Sequence, residues 1–127
     1  MRIREIQHER WPHFLGDFTH LHQGEHINIE TMGSRVFDVR SQLCDLPLVG
    51  IVGADPQARG GEWIEIIAGD SPATHTIHAI PHPSRVVLAE EAHGQAIALQ
   101  IDSADGSITM VRFEPSLEGM PSGFTVA

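Results

Sequence analysis

A chain of 127 residues, 41 % hydrophobic and 20 % charged, has the size and balance of one globular domain with a real core. Its formal charge of −9 repels phosphate, which argues against nucleic acid and anionic membranes as partners. All eight basic residues are arginines, so Schiff-base chemistry and the P-loop lysine are excluded.

No apolar run approaches the ~20 residues that a membrane helix needs. The opening MRIREIQHERW has neither the apolar core nor the small-residue cleavage site of a secretory signal, and the expected location is the cytoplasm. Residues 9–23 carry the clearest helical period. Trp11, Phe14, Leu15, Phe18 and Leu21 fall on one face, Pro12 suits a first turn, and Gly24 supplies the stop.

Beyond Gly24 the period falls to two. HINIETM places Ile27, Ile29 and Thr31 on one side, followed by a turn candidate at Met32-Gly33-Ser34 and then the alternating RVFDVRS. LPLVGIVG (46–53) is apolar throughout and predicts a strand buried on both faces. Cys44 is the only cysteine, so no intrachain disulfide forms; between apolar residues it predicts a small buried hydrophobe. ADPQARGG is a loop containing Arg59, and EWIEIIAG and HTIHAI are strands, the second stopped by Pro81 and Pro83. RVVLAEE ends in Glu90-Glu91, an adjacent pair expected to be exposed before the turn AHGQ. AIALQID and SITMVRF flank Ser103-Ala104-Asp105-Gly106, the strongest hairpin signal in the chain.

About eight short strands after one helix, with no segment suited to a βαβ crossover, predict a mainly β (α+β) domain. The expected form is a small antiparallel β-barrel or a two-layer sandwich with one N-terminal amphipathic helix, because an open narrow sheet would expose its edges. Residues 1–114 make the expected single domain, and 115–127 a C-terminal extension containing proline and glycine.

The nine histidines are the candidate chemistry. HTIHAIPHP carries His75, His78 and His82, and HLHQGEH carries His20, His22 and His26 with Glu25. These six are the candidate ligands for a divalent transition metal, the alternative to a protein with no cofactor. Strand alternation sends His75 and His78 to opposite faces, and helical spacing separates His20 from His22, so neither pair chelates one ion from a regular element. The second cluster departs from the cupin metal motif, in which the glutamate follows the second histidine by four or five residues rather than three. On the helix, Glu9, His13, Asp17 and His20 form a polar stripe whose simplest reading is a solvated face. There is no G-x-S-x-G, H-E-x-x-H, G-x-G-x-x-G or C-x-x-C, and no catalytic residue is assigned. Arg85 and Arg112 lie on predicted strands and are expected either to snorkel or to pair with acids across the sheet.

The segments E-R-W-x-x-F-L-x-x-F (9–18), D-L-P-L-x-G-I (45–51), H-T-I-H with P-S-R-V (75–86) and I-D-S-A-D-G-S-I-T-M-V-R-F (101–113) resemble a family of small acidic bacterial proteins with no assigned activity. The resemblance spans about 5–114 and implies a self-contained bacterial domain, with no functional residue to carry over. The expected function is a non-enzymatic module that binds a protein partner or forms a homodimer through a sheet face or edge. The alternative is a metal- or small-ligand-binding β-barrel using the clustered histidines.

Overall fold

The computed structural model describes residues 1–33, 39–53 and 61–113. Strand β1 (Arg2–Ile6) leads through a 3-10 turn (His8–Arg10) into helix α1 (Trp11–His22). Strands β2 (His26–Met32), β3 (Val39–Gly53), β4 (Trp63–Ala68), β5 (Thr76–Pro81), β6 (Pro83–Glu90), β7 (Ala96–Ser103) and β8 (Ile108–Phe113) follow. All pairings among them are antiparallel, in the order β1-β6-β7-β8-β2-β3-β4-β5.

The mainly β fold with one N-terminal helix agrees with the sequence. The closed barrel does not: among the described residues the eight strands form one sheet that ends at β1 and β5. At the β5–β6 corner His82 takes φ 49° between two prolines. Ser103 Oγ donates to the Pro81 carbonyl (2.7 Å) and the Ala104 N–H to that of His82 (2.9 Å), so side-chain and loop bonds hold this corner.

Two layers arise because β3 changes partners. Its residues up to Pro47 pair with β2, and those from Leu48 onward pair with β4. The bend is a bulge where Ile27 and Ile29 face Leu46 and Leu43, with Asp45 at φ 56°. Asn28 Oδ1 accepts the Asp45 N–H (2.8 Å), holding the bulge in place. Cys44 lies on it and is exposed, against the expected buried hydrophobe, because the extra residues of a bulge swing out of the pleat.

The bend leaves the second half of β3 with an edge that β2 does not cover. The chain entering β2 takes part of it, through Gly24 N–H to Leu48 O and Leu48 N–H to Glu25 O (both 2.8 Å). Helix α1 takes the rest: Thr19 Oγ1 donates to Ile51 O (3.0 Å) and accepts from Ile51 N–H (2.9 Å). An added Cβ at Gly50 would come within 3.3 Å of the Thr19 methyl, so glycine permits this approach. Trp11, Leu15 and Phe18 are the buried residues of α1, and the Trp11 indole donates to Ile6 O (2.9 Å).

The core lies between the limbs, built from Ile27, Ile29, Leu99, Ile101 and Val111 on one side and Ile64, Ile66 and Ile80 on the other, with α1 closing it. LPLVGIVG is not buried on both faces: Val52 points outward and is 43 % exposed. Gly106 (φ 91°) closes the β7–β8 hairpin, as its sequence predicts. Ser34 of the predicted turn, Arg59 with most of the ADPQARGG loop, and the C-terminal extension lie outside the described residues. Among the described residues no helix is long and apolar enough to cross a membrane.

Candidate functional site

The six candidate histidines are dispersed. His20 is exposed on α1. His22 packs between Phe18 and Phe113, with ring centroids 4.5 and 4.9 Å away, and bonds Glu25 Oε2 (2.6 Å). His26 opens β2 and bonds Asp45 Oδ1 (2.5 Å). His75 is exposed just before β5. His78 points inward, its Nε2 near the hydroxyls of Thr31 (3.1 Å) and Thr109 (3.4 Å). His82 occupies the β5–β6 corner with its ring beside Gly61. Among the described residues no group of three or more His, Cys, Asp or Glu side chains is placed to hold a metal ion.

Single imidazole–carboxylate pairs are the recurring arrangement. His8 meets Glu62 (2.7 Å), and His13 meets Asp17 one helical turn on (3.1 Å), alongside the His22 and His26 pairs. The His13–Asp17 pair is exposed on α1, as expected for a solvated stripe. Arg85 pairs with Glu5 (3.1 Å) and Arg112 with Glu30 (3.8 Å), across the sheet, the second of the two arrangements expected.

An open groove of about 920 Å³ lies between α1 and the inner face of β1, β6 and β7. Phe14, Phe18 and Leu88 give it apolar walls; Arg4 and Arg10, with the acids Glu5, Glu9, Asp17 and Glu90, give it charge. Glu90 was expected to be exposed but is only 7 % so. Arg4 Nε (2.8 Å) and Arg2 Nη2 (3.1 Å) both donate to its Oε1. Burial alone would raise its pKa, but the bonds and charges of Arg4 and Arg2 outweigh that and hold it below the usual glutamate value. The two guanidinium groups lie over a carboxylate next to the sheet edge. The signal for this site was the alternation of Val86, Leu88 and Glu90, with Arg2, Arg4 and Ile6 opposite them on a strand that the N-terminal sequence did not announce.

The two sheet edges differ. Edge strand β1, RIREI, carries three charges in five residues, whereas edge strand β5, TIHAIP, carries no Asp, Glu, Lys or Arg. His82 N–H donates to Glu62 O on the β4 side (3.0 Å), so the Pro81 carbonyl points away from β4. The alternation of an antiparallel pair then turns the N–H and C=O of Ile77 and Ala79 away from β4 as well, on the side where the Pro81 carbonyl accepts from Ser103 Oγ. Pro81, which has no N–H to give, stands in the same outward-facing set, where a proline costs no ladder bond. Ile77 is 59 % exposed, and Val52 opens onto the same outer face two strands away.

Residues 2–121 match a protein family described as "Family of unknown function (DUF5335)". The chain belongs to this family. The match spans nearly all of this family member, including both edge strands and every wall of the groove, and it carries no assigned activity. Neither a curated protein nor a solved structure matches the chain.

Proposed function

We propose that the protein is a non-enzymatic association module that takes up a strand from a protein partner along the β5 edge. The observation that carries this reading is the contrast between the two edges. Native sheets guard exposed edges with charges, prolines or bulges, as β1 does with its arginines and glutamate; β5 has only Pro81, at its C-terminal end. β5 instead offers outward-facing backbone groups at Ile77 and Ala79 beside exposed apolar side chains. Strand addition draws affinity from main-chain hydrogen bonds and specificity from alternate side chains. Selection of a displayed library of extended peptides tests it. Wild-type protein is expected to enrich peptides that Ile77→Lys does not retain; equal recovery on both would sink the reading.

A second reading, small-ligand binding, is favoured by the α1 groove. Among the described residues Glu90 Oε2 has no hydrogen-bond partner while Oε1 takes both arginines, leaving an ionised acceptor in a concavity of mixed polar and apolar walls. A thermal-shift screen of small amines and amides is expected to yield ligands whose effect disappears in Glu90→Gln. Shifts that survive the substitution would reject the groove as their site.

A further inference from the structure

We infer that the strand taken up along β5 is a basic one: it carries a lysine or arginine opposite Ala79 and an apolar side chain opposite Ile77, and its cation pairs with Glu65 on β4. This rests on the strand-addition reading above and names the chemistry of its partner.

Charge is the first argument. From Gly61 to Ser84 the only charged residues other than histidine are the acids Glu62, Glu65 and Asp70, and Glu62 is already met by His8 (2.7 Å). In β4 the residues Ile64, Ile66 and Ala68 face the core, which puts Glu65 on the outer face. Among the described residues Glu65 has no hydrogen bond or ion pair. Its neighbours in the row across the sheet are Val52 and Ala79, so it is a lone carboxylate among apolar side chains. A chain of net charge −9 repels acidic partners and attracts basic ones, and Glu65 is where this face can fix the position of a cation.

Geometry is the second. Ala79 is the residue of β5 beside Glu65, and a methyl is short enough to leave the carboxylate within reach from beyond β5. A residue opposite Ala79 on an added strand stands two strand spacings, about 10 Å, from Glu65. A lysine or arginine stem lies along apolar surface while its head seeks charge, so it crosses the Ala79 methyl toward the carboxylate. Two positions along, the added strand returns a side chain to the same face opposite exposed Ile77, in the row of Ile67. An apolar residue packs there. Because Ser103 Oγ occupies the Pro81 carbonyl, pairing is confined to Ile77 and Ala79, and a ladder that short takes its selectivity from these two side-chain contacts. An antiparallel partner therefore reads basic, any residue, apolar.

Selection of displayed extended peptides on the full chain tests the inference, with wild type, Glu65→Gln, Glu65→Lys and Ile77→Lys as baits. Wild type is expected to enrich peptides with lysine or arginine two residues from an apolar one. Glu65→Gln should keep the apolar preference, lose the basic one, and bind a recovered basic peptide about two- to fivefold more weakly in fluorescence anisotropy. Glu65→Lys should enrich aspartate or glutamate in the same place, a gain that a misfolded variant cannot produce. Peptides that depend on Ile77 but show no basic preference, or keep that preference on Glu65→Gln, overturn the inference and leave strand addition standing with a partner of other chemistry. No enrichment on wild type, or recovery that Ile77→Lys does not reduce, ends both.

Discussion

Nε2 of His78 on β5 lies 3.1 Å from the hydroxyl of Thr31 on β2, although β3 and β4 separate those strands in the sheet. The contact exists because the bend in β3 lays one limb over the other. Thr109 on β8 approaches the same nitrogen at 3.4 Å, so one imidazole ties three strands together with hydroxyls as its partners.

Burial holds the His78 pKa below its ordinary 6.5. Between that lowered value and 6.5 the unfolded chain binds more protons than the native one, so this contribution makes stability fall as pH drops below 6.5 and is constant above it. Urea melts at about pH 7.5 and 5.5, on either side of the ordinary histidine value, should show a larger loss for wild type than for His78→Gln. Equal losses would mean that this imidazole is not the group responsible.

The Glu90 carboxylate titrates in the other window. Its pKa is held below the ordinary 4.5, so its contribution is complete above that value and is lost as pH falls through the lowered one. Arg4→Ala should cost less than about 1 kcal/mol at neutral pH, because Arg4 is half exposed and Arg2 remains on the carboxylate. Removing both arginines should cost more than the sum of the single losses, by roughly 0.5 kcal/mol or more, since the shared partner is then abandoned. A double-mutant cycle that closes additively would refute shared pairing.

Thr19→Val keeps the shape of the side chain and deletes the hydroxyl that serves both backbone groups of Ile51. Orphaned polar groups of this kind cost about 1–3 kcal/mol. Thr19→Ser should restore most of that loss in denaturant melts; a serine variant as weak as the valine would point to the methyl group instead.

Gly69 has φ +148°, and an added Cβ would lie 2.6 Å from the Thr74 carbonyl oxygen, a backbone atom that cannot swing away. Its N–H also donates to Pro47 O (2.9 Å), which pins the loop to β3. Gly69→Ala should destabilise by roughly 2 kcal/mol or more, combining strain with a clash. A melting curve matching wild type would refute that local packing.

The helix was legible because its period is unbroken, and Trp11, Leu15 and Phe18 are buried as that period requires. Leu21 shared the apolar stripe but is 72 % exposed, because the outer margin of α1 faces the open groove rather than the core. Among the described residues the count of eight strands agrees with the sequence, but the membership does not. Residues 35–38 of RVFDVRS lie outside the described residues; its last three, with LPLVGIVG, belong to one strand, β3, whose bend depends on a left-handed Asp45 that no periodicity announces. β1 was missed because five residues carrying three charges look like solvent-exposed coil until their pairing with β6 is known. The same gap concealed Glu90: its partners lie 86 and 88 positions away in the chain. The dispersal of the histidines was half visible, since alternation separates His75 from His78, but their individual carboxylate partners depend on tertiary placement.

Because β3 supplies ladder bonds to both limbs, neither limb is a separable foldon. Releasing β4 and β5 exposes the same backbone on which Thr19 anchors α1, and losing α1 uncovers the core shared with β2 and β8. A break at the Pro47–Leu48 junction is therefore expected to leave two pieces that do not fold alone, and unfolding of the described residues is expected to follow one transition by every probe.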